Sequence, residues 1–401
     1  MKNKGNERWL RLGLGCVILL VAGLIYAWSI LNKPLQSSFD KTQLSFCFTL
    51  TLCFFCLGGL VSGLISNKVS IFNRMVMAAV LTGIGFILSA VHRNSLWILY
   101  LGYGVMAGSG IGIVYNTVIS ATNAWFPDKK GLCSGCLMMG FGASALLLGN
   151  AANALFKCTL GWRSTYIILG VAICVVLFLA ALLLKKPGQE TVLPQPKLTK
   201  TASTETFEQK DYTSVQMLCR PSFWMAFVCI SFLAAVGSSV ISFAKDLALS
   251  VQAPESLAVS LVGVLSICNG LGRISTGALF DTIGRRKTML CANILTICAA
   301  SVTLLAVSVG SLPLCIVGLC LTGMSYGACP TITAAFTSSF FGMKHFSDNM
   351  ALMTFTVMCG SLIATVSNKI LEVTGGYPAT FLMLLAITAV ALILNLFIRK
   401  P

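Results

Sequence analysis

Charge is scarce in this sequence. Only 10% of its residues are Asp, Glu, Lys or Arg, against about 25% in soluble domains, which excludes an ordinary water-facing globule. Acids are scarcer than bases, 12 against 28. None lies deep in an apolar run: Asp281 and Asp348 border one side, and Asp246, Glu255 and Glu372 border the other. A titrating carboxylate inside a membrane is therefore not expected. Histidine is nearly absent, with His92 and His345 the only two. No nucleophile–base pair or metal-ligand cluster stands out, so an enzyme, a bound metal and a cofactor are all unexpected.

What the chain has is hydrophobic length. Of 401 residues 56% are hydrophobic, and mean hydropathy is +0.87. A spanning helix needs roughly 20 apolar residues. Twelve such runs occur, near residues 9–31, 44–66, 74–91, 96–124, 131–154, 163–184, 221–244, 256–280, 287–309, 312–339, 348–371 and 376–398. The first is too long for a cleaved signal peptide, and no small-residue cleavage site follows it. The expected fold is an all-α membrane protein with twelve transmembrane helices, its lipid bilayer the main partner.

The cations sort by side. With both termini cytoplasmic, twenty of the 28 Lys and Arg face inward and seven outward, leaving Arg273 between them. The net charge of +16 thus reports topology in a cell (inner) membrane, not nucleic-acid binding. The seventeen cysteines include Cys53/Cys56 and Cys133/Cys136 at CxxC spacing. Nearly all sit in apolar runs, where they read as small helix residues.

One long polar stretch, 185–220, has no apolar periodicity and divides the chain into six runs on either side. It reads as a cytoplasmic linker between an N-terminal six-helix bundle, 1–184, and a C-terminal one, 221–401. The halves echo each other. Gly63 lies 214 residues before Gly277, while Gly108, Gly112 and Lys129 lie 215 before Gly323, Gly327 and Lys344. A common offset argues for a duplicated unit, as in pseudo-symmetric transporters.

The sharpest local signal is GALFDTIGRRK, beginning at Gly277. Gly277 permits close helix packing, Asp281 can pair with Arg285 or accept backbone N–H groups, Gly284 allows a tight turn, and Arg285 and Arg286 anchor it inside. This stretch resembles the loop signature of the major facilitator superfamily, which implies the two-bundle fold and a gating or structural role. The earlier copy is degraded, with Asn67 in place of the acid and Lys68 after it.

The run 96–124 carries Gly104, Gly108 and Gly112 on one face, a spacing for close helix approach. Its GIGIVYNT and the WFPDKKGLCSG beyond it, with YAWSI, WMAF, NGLGR and SYGACP elsewhere, resemble the oxalate/formate antiporter (monocarboxylate transporter-like) family. The resemblance implies exchange of small organic anions through a central pocket between the halves. Carried over, its pocket residues are Arg273, Tyr26, Trp28, Tyr115 and Tyr326.

The chemistry of those residues agrees. A charge within an apolar helix costs about 2.5 kcal/mol or more on insertion scales, so Arg273 is expected to face a cavity, a partner or a substrate. It lies eight residues before Asp281, about 12 Å of helix rise. Its forked donors suit a carboxylate, tyrosine hydroxyls can complete the coordination, and Asn269 shares its face. An ion pair or gate is the bland alternative for Arg273, and packing is the alternative for Trp28 and the tyrosines.

Departures from the family narrow the substrate. Where the oxalate-exchanging pattern has a lysine stands Val357, and polar or aromatic positions become Ile25, Leu52, Phe141 and Thr322. One cation does not balance a dianion in low dielectric. A small monocarboxylate of the formate, lactate or pyruvate class is therefore expected, carried by a monomer through exchange, facilitated diffusion or proton-linked symport. The alternatives are a non-transporting carboxylate receptor and an exporter of hydrophobic cations.

Overall fold

The computed structural model describes residues 4–91, 95–158, 161–188, 194 and 211–399. Every regular element among them is helical. We label the long ones α1 (Lys4–Ala22), α2 (Lys41–Leu64), α3 (Ile71–Ala90), α4 (Gly108–Asn123), α5 (Lys130–Lys157), α6 (Gly161–Leu183), α7 (Pro221–Ser250), α8 (Glu255–Val309), α9 (Leu312–Phe341), α10 (Phe346–Thr374) and α11 (Tyr377–Phe397). Eleven spans among the described residues are long and apolar enough to cross a membrane. The twelfth expected run is inside α8, which holds both 256–280 and 287–309. These are divided at Gly284, where φ 77° and ψ 173° leave the helical region. Only glycine adopts that backbone readily.

Local rules account for the ends and irregularities. Ser70 caps α3 by accepting the Asn73 N–H at 3.2 Å. Pro330 lies inside α9, where it cannot return an N–H to the carbonyl four residues earlier. A π-helical stretch, Tyr100–Ala107, leads into α4. Gly108 and Gly112 then lie against the α2 backbone at Thr51 and Phe55, and Gly104 against the Leu50 side chain, so this glycine face packs on α2. On α6, Val171, Val175, Phe178 and Leu182 are exposed along one face. A soluble protein would bury such a row; here it suits lipid chains.

The chain divides into two compact units. The first comprises Met1–Asp128, Gly140–Leu198 and Phe346–Leu352. Its interior includes Tyr103 and Tyr166, whose hydroxyls donate to the carbonyls of Ile25 and Leu31 at 3.1 and 2.7 Å. The second comprises Lys129–Met139, Thr199–His345 and Met353–Pro401, with Val240, Phe243, Leu247, Leu265, Leu319 and Phe381 in its core. The sequence halves thus trade the opening turns of α5 and α10. Gly131 of α5 lies against Gly277 of α8, and Asp348 of α10 lies against Gly63 of α2.

Much of the expected linker lies outside the described residues. Its end is ordered on α9: the Tyr212 N–H donates to the Phe341 carbonyl at 3.0 Å, and Asp211 accepts the Lys344 N–H at 3.0 Å. Thr213 and Gln216 exchange side-chain and backbone hydrogen bonds to open a short helix, Ser214–Leu218.

Candidate functional site

Three of the expected substrate residues gather in the second unit. Arg273, on α8, is only 9% exposed, so its charge has little water to stabilise it. Its Nε–H donates to Asn269 Oδ1 at 3.0 Å, and a terminal N–H donates to the carbonyl of Met138 on α5. Asn269 stands four residues earlier on the same face, so the helix itself presents the amide to the guanidinium. Tyr326 of α9 lies against α7, where a Cβ added at Gly237 would meet its ring.

The backbone carrying Arg273 is clamped. A side chain at Gly135 of α5 would meet the Arg273 carbonyl, and one at Gly327 of α9 would meet the Asn269 carbonyl and, at 3.0 Å, the Arg273 nitrogen. The Thr331 hydroxyl donates to the Arg273 carbonyl at 3.2 Å. Glycines on both sides let three helices approach until their backbones touch, which fixes the root of the guanidinium.

The other expected residues belong to the first unit. Trp28 is buried, donates from Nε1 to the Leu44 carbonyl at 3.1 Å and lies 4.3 Å from the Tyr103 ring. Tyr115 packs against both Phe55 and Phe141, with ring centroids 5.1 and 5.0 Å away. The side chain of Tyr26 lies outside the described residues.

The loop residues form a second arrangement. Asp281 accepts from the Gly131 N–H at 2.8 Å on one oxygen and from the Leu132 N–H at 2.7 Å on the other. A carboxylate is thus seated on the first turn of α5, where unsatisfied amides and the helix dipole favour negative charge. Gly277 approaches the Gly131 backbone so closely that a Cβ would collide with it. Arg285 turns elsewhere, donating to the Ile398 carbonyl at 3.1 Å and lying 4.7 Å from the Phe340 ring. Arg286 is exposed.

In the degraded copy the acid comes from the other partner. Ser66 donates to Asp348 Oδ1 at 3.3 Å, while Asn67 is exposed. Asn116 of α4 donates to the Ser347 carbonyl at 2.8 Å and accepts from the Ser347 hydroxyl at 2.5 Å. Behind them Arg74 is 1% exposed and donates to the Ser62 carbonyl and hydroxyl at 3.2 and 3.3 Å.

The family model described as Major Facilitator Superfamily matches residues 12–281 and 227–401. The chain belongs to the Major Facilitator Superfamily. It is 28% identical over 369 residues to an uncharacterized transporter of this type, YhjX of Escherichia coli, covering 90% of this chain and 87% of that protein. It is 28% identical over 294 residues to the oxalate:formate antiporter of Oxalobacter formigenes, covering 71% and 66%. Monocarboxylate transporter 12 of Mus musculus is 23% identical over 367 residues, with 86% and 75% covered. Among solved structures, the fucose:proton symporter of E. coli aligns over 98% of this chain and 100% of its own, with a TM-score of 0.70 at 14% identity. That likeness concerns the fold alone.

The sequence alone assigned no role to Asn116, Ser347 or the Met138 carbonyl. Asn116 adjoins Tyr115 in a quoted motif, and an amide in an apolar helix was the available signal. The Met138 carbonyl had none, because every residue has one.

Proposed function

We propose that this transporter is an alternating-access carrier of small organic anions, with singly charged carboxylates as its substrates and Arg273 as the anchor. The observation that carries the reading is the buried Arg273 guanidinium, oriented by Asn269 and the Met138 carbonyl. These two acceptors are neutral groups that orient the guanidinium. A carboxylate arriving there supplies the opposite charge and gains charge-assisted hydrogen bonds. Tyr326 adds an aromatic wall with a polar edge, and Tyr26, Trp28 and Tyr115 are assigned to substrate lining by the family resemblance.

Two lines favour one negative charge over two. Val357 stands where the oxalate-exchanging pattern has a lysine, and a dianion facing one cation keeps an uncompensated charge in low dielectric. Similarity to an oxalate:formate antiporter and to a monocarboxylate transporter supports the carboxylate class. With no acid deep in an apolar run, exchange or facilitated diffusion is favoured, proton symport requiring the substrate to bring its own proton. The membrane is assigned as the inner membrane with both termini cytoplasmic, on the cation asymmetry.

Thermal-shift screening of the purified protein against mono- and dicarboxylates, repeated on Arg273→Gln, tests the site. Monocarboxylates are expected to stabilise the wild type and not the variant. Greater stabilisation by oxalate would reject the single-charge reading, and unchanged stabilisation of the variant would remove Arg273 from the site. Counterflow of labelled substrate in proteoliposomes tests transport; binding without flux would make the protein a receptor.

A further inference from the structure

The first apolar run is broken where it carries two of the expected substrate residues. α1 ends at Ala22, and Gly23–Ala27 continues it as a tighter 3₁₀ turn that includes Tyr26. A separate helical turn, Trp28–Leu31, follows Ala27, whose ψ of 16° leaves helical values. The turn ends with a carbonyl to satisfy. Pro34 has no N–H to return to Leu31, and the N–H groups of Leu35 and Gln36 both go to the Asn32 carbonyl, at 2.9 and 3.2 Å. Leu31 is fully buried, so its carbonyl has to find a partner within the protein.

Two tyrosines supply the missing donors. Tyr166 of α6 donates to the Leu31 carbonyl at 2.7 Å, and Tyr103, in the π-helical stretch before α4, donates to the Ile25 carbonyl at 3.1 Å. Both tyrosines are fully buried, and the Trp28 ring lies on Tyr103. Their own placement is set by α3. A Cβ at Gly85 would collide with the Gly102 carbonyl, and one at Gly170 would meet the Phe86 Cβ at 2.8 Å and the Gly83 carbonyl at 3.1 Å. Phe86 lies 5.6 Å from the Tyr103 ring and 6.1 Å from that of Tyr166. Close backbone approach to α3 thus fixes where the two hydroxyls stand, and the hydroxyls fix where segment 23–31 lies.

We propose that Tyr103 and Tyr166 are positioning residues for substrate binding. They act through the backbone: each holds a carbonyl of the broken segment, and together they set the depth and turn of the piece bearing Tyr26 and Trp28. The inference rests on the carboxylate-carrier reading above and deepens it by naming what orients the aromatic lining contributed by the first unit. Without either hydroxyl the segment shifts until its carbonyl finds another donor, and the lining shifts with it. Substrate is then held more weakly, while turnover of bound substrate is kept.

The test is initial-rate uptake of labelled formate and pyruvate into proteoliposomes, with Tm measured in parallel. The proteins are wild type, Tyr103→Phe, Tyr166→Phe, Pro34→Ala, Pro34→Ala/Tyr166→Phe, Pro34→Ala/Tyr103→Phe and Arg273→Gln. Phenylalanine keeps each ring and removes only the donor. Tyr103→Phe and Tyr166→Phe are each expected to raise KM about three-fold with kcat preserved. Pro34→Ala restores an N–H three residues after Leu31, the spacing of a 3₁₀ bond. It is expected to recover the KM lost in Tyr166→Phe and not that lost in Tyr103→Phe.

A fall in Tm with KM unchanged in both tyrosine variants makes their role structural and overturns the proposal. So does a Tyr166→Phe defect that Pro34→Ala fails to recover, or one that falls on kcat instead of KM. If one tyrosine variant does not fold, the other decides by the same split between KM and kcat. The Arg273→Gln arm separates the two levels. Wild-type uptake that disappears in Arg273→Gln keeps the carrier reading even where the tyrosine variants reject this inference. Wild type that moves neither acid overturns both.

Discussion

Asn116 and Ser347, 231 positions apart, exchange two buried hydrogen bonds, with the asparagine amide giving one to the serine carbonyl and taking one from the serine hydroxyl. This clasp seats the start of α10 on α4. It occupies the unit in which the loop motif has lost its own acid, on the same first turn of α10 that carries Asp348, the acceptor of the Ser66 hydroxyl.

Asn116→Leu should therefore lower stability, because the Ser347 hydroxyl and carbonyl are left buried with their shared partner gone. The expected cost is about 1–3 kcal/mol, read as a fall in Tm in detergent. Adding Ser347→Ala to Asn116→Leu should recover part of it, as expected for directly coupled residues.

Arg273→Lys should not preserve function, although charge is kept. The guanidinium reaches the Asn269 oxygen and the Met138 carbonyl from separate nitrogens at once, a fork that a single ammonium does not reproduce. Loss of one charge-assisted bond predicts a KM for substrate raised about ten-fold or more. Uptake kinetics in proteoliposomes check it.

Asp281→Ala should loosen the first turn of α5. Two amide N–H groups lose their acceptor and the helix loses its compensating charge, together about 2 kcal/mol. Cys133, buried one position beyond Leu132, should then react faster with a maleimide, as followed by peptide mass spectrometry. An unchanged Cys133 labelling rate would mean that the carboxylate is not what holds that turn.

Tyr115 separates packing from recognition. Tyr115→Phe retains the ring against Phe55 and Phe141 and should raise KM with a smaller fall in Tm than Tyr115→Ala. Tyr115→Ala should lower Tm as well, since removing a buried aromatic costs about 3–5 kcal/mol.

The membrane spans were legible because apolar length is a property of consecutive residues. Gly284 was legible for a related reason: a glycine between an acid and paired arginines marks a turn locally. Asp281 was legible only as a choice between Arg285 and backbone amides, and which one wins depends on α5 arriving from about 150 residues away. The pair Asn116–Ser347 was illegible on the same ground. Arg74 is among the most buried side chains, a position that follows from the carbonyl and hydroxyl of Ser62 and not from its own neighbours. Arg273 itself was legible through its cost, while its orientation was not.

Under the proposed function, the two glycines that flank the Arg273 backbone would turn the proposed anchor into a fixed measuring point. Gly135 and Gly327 leave the helix carrying it no room to yield, so an arriving ligand adjusts to the arginine more than the arginine's root adjusts to the ligand. Distance from that point would then be the quantity by which candidate molecules are sorted. Engineering toward longer substrates should then leave α8 untouched and remodel the surfaces opposite it.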